Sequence, residues 1–367
     1  MKRNLMAFGY FSLLLSSTLL LLTPNPIHAS ETTCEANGQY QFICGLASPE
    51  DLLRLPDSDW VIASGFAGKD ALYLINAQSK AWRSFYPGTT PVAKQNMAMY
   101  AKCPGSPNPN AFTGHGLNVR KISKNLSMLY VVGHGEREAI EVFEIDTRQQ
   151  EPLITWVGCI LTPDGVAANS VTSLADGALL ATLPLRDGVD INDLFTLEST
   201  GSVFRWSPGD TQFTAVKGTE MRYPNGIEVS ADGKEFYVAS SGDLKVMAFS
   251  NTQPARLLRS SEILPIVPDN LRWGQDGKLL TAGLKLRDTD CGNIKPNAVF
   301  EFMQFASCPR GFMAIATEPT TMSTTIMAQS AAQPQFSNVT MALEVNNELW
   351  FGTFGGDRIG VLKSSNE

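Results

Sequence analysis

The chain has 367 residues, 43% of them hydrophobic, with 30 glycines, 21 prolines and a formal net charge of -7. That balance belongs to an ordered globular protein with the Gly/Pro punctuation of an all-β fold, and it excludes an intrinsically disordered chain. With an acidic balance and no basic patch, binding to nucleic acid is not expected.

The chain begins with Lys2 and Arg3, then an apolar run from Leu5 to Leu22, then Pro24, Pro26 and a small-residue site at Ala29-Ser30. This is the pattern of a secretory signal peptide over residues 1–29, which leaves residues 30–367 as one exported domain, periplasmic or secreted. The apolar run is nearly long enough to span a bilayer, so an uncleaved N-terminal anchor is the alternative. Glu31, three residues before Cys34, breaks the pattern of a lipid-modified cysteine. Six cysteines follow, Cys34, Cys44, Cys103, Cys159, Cys291 and Cys308, and an oxidising compartment implies that they pair. Sequence leaves the pairing open, but Cys34 with Cys44 and Cys291 with Cys308 would close short local loops, leaving Cys103 with Cys159.

One phrase recurs along the chain: a turn built on Asp or Asn, followed by an apolar strand-like run. Its copies are Asp57-Ser58-Asp59 before WVIASGF, Lys124-Asn125 before LSMLYVVGH, Asp176-Gly177 before ALLATLP, Asp232-Gly233 before KEFYVASS, Asp276-Gly277 before KLLTAGL and Asn346-Asn347 before ELWFGTF. A second strand-like run follows each one: Leu72 to Ile75, Ile140 to Ile145, Ser202 to Trp206, Leu244 to Phe249, Ala298 to Phe302 and Ile359 to Leu362. Asp-Gly and Asn-rich pairs accept the positive φ of tight hairpins, and six strand-turn-strand units predict a six-bladed β-propeller. A β-sandwich with fortuitous turns is the alternative fold. Helical periodicity is confined to Met313–Ala332, and the long insertions Thr89–Phe112 and Ala306–Phe336 are expected as loops or short helices over one face, at a substrate entrance.

Seven residues upstream of the turns, where the innermost strand of each blade should begin, stand Glu50, Asn169, Asn225 and Asp269, with Asn270 next to the last and His115 at the matching place in the second repeat. Equivalent positions on different blades point toward one axis, so a central metal channel is expected. Two carboxylates and three amides make an oxygen-only shell suited to Ca²⁺, whereas zinc would call for His or Cys. Singly, each of these residues reads as a turn or cap; it is the shared offset that points to a site. His28 falls in the leader, which leaves His115 and His134 as the only imidazoles for acid-base work near neutral pH. Both lie in the second repeat, so a His–His relay activating water beside the metal is expected, and no G-x-S-x-G elbow supports a nucleophilic serine.

Glu50-Asp51, His115-Gly116, the strand ending in His134, Asn169, Asn225-Gly226 and Asp269-Asn270 together resemble the paraoxonase/arylesterase family, within the six-bladed propellers that include gluconolactonase and strictosidine synthase. The resemblance implies a catalytic Ca²⁺ on Glu50, Asn169, Asn225, Asp269 and Asn270, with His115 and His134 as the proton-transfer pair. It also implies a second, structural Ca²⁺ on Asp51 and the backbone carbonyl of Leu117, although Ser170 stands where the family has a carboxylate. Two departures follow: the C-terminal stretch from Trp350 has no cysteine to close the ring, and Arg186–Glu198 lacks the aromatics of a lipid-docking helix, so no lipoprotein docking is implied. The expected function is a calcium-dependent hydrolase of lactones or aryl esters, acting on a small-molecule substrate. A gluconolactonase-like sugar lactonase and a non-catalytic binding propeller are the alternatives.

Overall fold

The computed structural model describes residues 34–331, 333 and 335–363; the predicted leader, 1–29, lies outside them. Strand β1 (Tyr40–Cys44) precedes blade 1, which is β2 (Leu52–Arg54), β3 (Trp60–Ser64), β4 (Leu72–Asn76) and β5 (Trp82–Tyr86). Blade 2 is β6 (Thr113–Ser123), β7 (Leu126–His134), β8 (Ala139–Asp146) and β9 (Leu153–Leu161), and blade 3 is β10 (Val171–Ser173), β11 (Leu179–Leu183), β12 (Ser202–Trp206) and β13 (Thr214–Ala215). Blade 4 is β14 (Pro224–Val229), β15 (Glu235–Ser240), β16 (Lys245–Ser250) and β17 (Leu257–Ser260). Blade 5 is β18 (Ile266–Trp273), β19 (Leu279–Lys285), β20 (Phe312–Thr317) and β21 (Thr324–Ser330), with a short helix α1 (Phe302–Ser307) between β19 and β20. Blade 6 combines β22 (Val339–Val345), β23 (Glu348–Thr353) and β24 (Arg358–Lys363) with β1, paired antiparallel to β24 from Tyr40 opposite Leu362 to Cys44 opposite Arg358. The ring thus closes by backbone hydrogen bonds between its first and last strands, which supplies what a disulfide to the C-terminal strand would otherwise do.

The repeat turns fall between the first and second strands of the blades, where Gly177 and Gly233 adopt φ of +89° and +69° and Asn346 adopts +56°. These are conformations that Gly and Asn tolerate at little steric cost. Each sheet is covered on both faces by its neighbours, so its strands read as nearly continuous apolar runs; all five residues of β11 are buried. The core is therefore a set of wedges between blades. Ile227, Phe236 and Val238 of blade 4 pack on Leu180 and Val203 of blade 3, and Leu52, Val61 and Tyr73 of blade 1 pack on Met341, Leu343 and Trp350 of blade 6.

Blade 5 departs from the sequence reading. In its described residues the stretch Met313–Ala332 is not helical but carries β20 and β21, and Ala298–Phe302 is not a strand. The alanines of FMAIAT favour helix, but such local preferences amount to fractions of a kcal/mol per residue, and pairing with β19 along its whole length overrides them. The insertion over 89–112 also differs, since it runs along the outer edge of blade 2 rather than over the axis. Edge strand β9 would otherwise expose unpaired backbone, and Trp156 N–H donates to Val92 O (2.9 Å), while Lys94 and Asn96 N–H groups donate to Trp156 O and Val157 O (2.8 Å each).

The disulfides are Cys34–Cys44, Cys103–Cys159 and Cys291–Cys308. Cys103–Cys159 fastens the edge insertion to β9 across a sequence separation of 56 residues. Replacing both cysteines by serine is expected to cost about 2–4 kcal/mol of stability, read as a lowered midpoint in denaturant unfolding.

Candidate active site

Four inner strands carry a β-bulge at the same end of the axis: β6 between Gly114 and Leu117, β14 between Pro224 and Ile227, β18 between Pro268 and Leu271, and β22 between Val339 and Met341. A bulge bends its strand and re-aims a side chain, and here the residues inside the bulges are His115, Asn225, Asp269-Asn270 and Thr340. Glu50 and Asn169 sit just before β2 and β10. Four of the five predicted metal-ligand side chains, Glu50, Asn169, Asn225 and Asp269, line one pocket together with His115 and with Thr340 of blade 6, and Asn270 stands behind them with its side chain on Glu50. Thr340 escaped the sequence reading because seven residues back from Asn346 stands Val339 and the polar residue is displaced by one.

Close approach of the inner strands depends on glycine at two places. A Cβ on Gly226 would lie 2.3 Å from Leu271 N, and one on Gly116 would lie 2.4 Å from Asn169 O. Small hydroxyls then tie three pairs of neighbouring blades: Thr182 Oγ1 donates to Asn225 O (2.7 Å), Ser241 Oγ to Pro268 O (2.6 Å) and Thr340 Oγ1 to Glu50 O (2.7 Å).

Within this ring the amide nitrogens are turned aside. Asn270 Nδ2 donates to Glu50 Oε1 (2.6 Å) and Asn225 Nδ2 to Ser241 Oγ (3.3 Å). Glu50 Oε2, Asn169 Oδ1, Asn225 Oδ1 and Asn270 Oδ1 are buried and have no hydrogen-bond partner. Burial, and then the neighbouring Asp269 and Asp51, hold the Glu50 carboxyl well above the usual carboxylate range, and burial pushes Asp269 up to about 7. Orphaned acceptors and mutually repelling carboxylates are costly in a protein interior, and a hard divalent cation would satisfy both. The ring contains only two carboxylates; no cluster of three or more His, Cys, Asp or Glu side chains suited to a metal occurs among the described residues, so the site emerges only when amide oxygens are counted.

Beside the ring, His115 Nδ1 lies 2.9 Å from His134 Nε2, and His134 Nδ1 lies 2.6 Å from Glu138 Oε2. Glu138, in the turn between β7 and β8, belongs to no repeat and was missed by sequence reasoning. Its backbone carbonyl is held by Thr162 N–H (3.1 Å) and Thr162 Oγ1 (3.2 Å). A carboxylate at Nδ1 places the proton there, which makes His134 Nε2 an acceptor and His115 Nδ1–H its donor. His115 Nε2 is then left with a free lone pair, 3.7 Å from Glu50 Oε2. Burial, followed by His134, holds the His115 imidazole well below its usual range and therefore neutral.

The rest of the pocket wall is apolar and aromatic, with Phe66, Leu194, Val267, Phe300, Phe302 and Phe354 around a cavity of about 120 Å³. Phe66 lies against His115 with ring centroids 4.5 Å apart. Phe300 and Phe302 come from the segment between β19 and β20, pinned by Cys291–Cys308. Tyr223 adds a buried phenol whose ionisation is opposed by burial and by Asp269 and Glu50. A larger groove of about 840 Å³, bordered by Asp57, Trp60, Arg83 and Glu151, is open and shares none of these residues. Asp51 and the Leu117 carbonyl lie outside the pocket and meet Arg272, whose Nη2 donates to both.

Fold and ring together define a six-bladed β-propeller with a polar centre on its axis. Residues 123–285 match the family described as SMP-30/Gluconolactonase/LRE-like region, a span that contains His134, Asn169, Asn225, Asp269 and Asn270 but not Glu50 or His115. Among solved structures, the chain is similar to a gluconolactonase from Xanthomonas campestris, 14% identical with a TM-score of 0.52, covering 88% of this chain and 89% of that one. It is also similar to a luciferin-regenerating enzyme, 10% identical with a TM-score of 0.53, covering 88% and 93% of the two chains. At these identities the likeness shows the fold. No curated protein matches the sequence.

Because Gly226 lets blade 4 lie against Asn270, Gly226→Ala is expected to force the two inner strands apart. The expected result is a loss of about 1–3 kcal/mol in thermal or denaturant unfolding, with secondary structure retained in circular dichroism.

Proposed function

We propose that this protein is a hydrolase of lactones or aryl esters that uses one Ca²⁺ held by Glu50, Asn169, Asn225, Asp269 and Asn270. The observation that carries the reading is the meeting, at one end of the axis and beside a largely apolar pocket, of four buried partnerless oxygens and a His–His–Glu chain ending in a free imidazole nitrogen. When bound, the ion would polarise a substrate carbonyl and favour the negative charge that develops on its oxygen.

The chain's own residues do the rest. His115 Nε2 is the acceptor for a proton from the attacking water, and it is available because burial keeps the ring neutral. The imidazolium so formed keeps its Nδ1–H on His134 Nε2, and the Glu138 carboxylate fixes the His134 tautomer and offsets the charge. Phe66 shields one side of the pair from water.

Substrate class follows from the walls. The phenylalanines around the ring favour an aliphatic or aryl group and offer no hydrogen bonds to a polyhydroxylated ring. A sugar lactonase is the second reading, favoured by the family match and by the name of the Xanthomonas structure. The three disulfides fit an oxidising compartment, and among the described residues no helix is long and apolar enough to cross a membrane.

Purified protein is expected to hydrolyse an aliphatic lactone or phenyl acetate, to stop when EGTA is added, and to lose on the order of 10²–10⁴-fold in kcat with His115→Ala. Turnover of gluconolactone that ignores His115→Ala would favour the sugar lactonase. Absence of turnover in folded, calcium-loaded protein would leave a binding propeller.

Glu138→Gln is expected to lower kcat by about tenfold or more at nearly unchanged KM, since the residue acts through His134 rather than on substrate. The pH profile of kcat/KM, which a purely structural role would not move, is expected to shift with it.

A further inference from the structure

A second polar cage lies on the axis beneath the ring. Along β18, Asn270 serves the ring, and two residues on, the side chain of Arg272 turns to the same face and is only 7% exposed. Its Nη2 donates to Asp51 Oδ2 and to the Leu117 carbonyl; Nη1 donates to the Leu271 carbonyl (2.8 Å) and faces Glu228 Oε1 at 3.4 Å; Nε donates to the Leu52 carbonyl (3.3 Å). Two carboxylates and three backbone carbonyls, drawn from four blades, surround one guanidinium. An all-oxygen shell with two negative charges is what a calcium ion would otherwise take.

The two residues that the family resemblance assigns to a structural ion are in this cage, and their oxygens are engaged. Asp51 Oδ1 accepts from Leu52 N–H (2.8 Å), and Oδ2 accepts from Leu117 N–H (2.7 Å) as well as from Arg272. Here the contrast with the ring above is sharp, since four of the ring's oxygens have no partner at all. Ser170, at the family's carboxylate position, has a buried hydroxyl without a partner, but it brings no charge. A second ion therefore does not fit among these residues as they stand.

We propose that Arg272 is a built-in cation that takes the place of the second metal ion, so that the lower half of the propeller axis is held together independently of metal. A guanidinium fixed by the chain cannot be lost to a chelator or to low calcium outside the cell. It cross-links blades 1, 2, 4 and 5 at one point, as an ion would.

The test counts ions in the purified protein, wild type and variants, by equilibrium dialysis against calcium with metal analysis per chain. Arg272→Gln removes the charge, keeps a donor oxygen and leaves Asp51 and Glu228 facing each other. This variant is expected to hold one more calcium per chain than the wild type and to show a melting temperature that falls in EGTA and recovers with calcium. An unchanged ion count in the folded variant would overturn the inference. Asp51→Asn in the otherwise wild-type chain covers the case in which Arg272→Gln does not fold: the same ion count as wild type is expected, and a count lower by one would show that Asp51 holds a metal and overturn the inference. The absolute wild-type count bears separately on the ring, because zero ions there would remove the proposed calcium site while the difference between variant and wild type still judges Arg272.

Discussion

Everything on the axis of this molecule follows from one electrostatic constraint: a six-fold ring of inner strands forces oxygen atoms together where water does not reach them. Glu50 and Asp51 show the constraint most compactly, being consecutive and therefore aimed at different levels of the channel. Asp51 finds the guanidinium of Arg272, whereas Glu50 finds only Asn270 Nδ2 and leaves its second oxygen orphaned. An unpaired buried carboxylate costs several kcal/mol, of the order expected for an uncompensated interior charge. The protein can thus be read as two stacked cages with the same donor chemistry, one answered by its own side chain and the other left with partnerless oxygens, as the proposed calcium site requires.

The inner strands were legible because the architecture repeats. A turn at a fixed distance from the start of each inner strand marks the same point on successive blades, so Glu50, Asn169, Asn225 and Asp269 declared themselves by offset alone. What lay off the repeat stayed hidden. Glu138 sits in a turn of blade 2 with no counterpart elsewhere, and Phe300 and Phe302 reach the pocket from a segment that the repeat pattern mistook for a strand. Arg272 carried a signal that went unused, since an arginine inside an apolar inner strand must meet buried acids somewhere. Blade 5 differs for another reason: the alanines of its third strand locally favour helix, and only its pairing with β19 decides its state.

The division of labour between blades bears on how such a site keeps its geometry. Blades 1, 3, 4 and 5 contribute the oxygen ring, and blade 2 contributes both histidines and the glutamate behind them. His134 closes β7 while His115 sits in the bulge of β6, so two paired strands of one sheet set the 2.9 Å contact between the rings, independently of the other blades. The ring, in contrast, depends on contacts between blades, through Thr182, Ser241 and Thr340 and through the close approach that Gly226 and Gly116 permit. Distortion of the blade packing is therefore felt first by the oxygen ring and last by the His–His–Glu chain.

That separation extends to the substrate. The phenylalanines that wall the pocket are carried mainly by segments outside the sheets: Phe66 after β3, Phe300 and Phe302 in the disulfide-pinned segment before β20, and Phe354 after β23. None of them contributes to the oxygen ring or the histidine pair, so on the proposed function the acyl or aryl preference can change with these segments while the axial groups stay fixed. Phe66 is the one that touches both, lying against His115 as well as facing the cavity. It links what the pocket admits to the surroundings of the proposed base, and if the protein is the hydrolase proposed, substitutions there should move selectivity and rate together, whereas those at Phe302 should move selectivity alone.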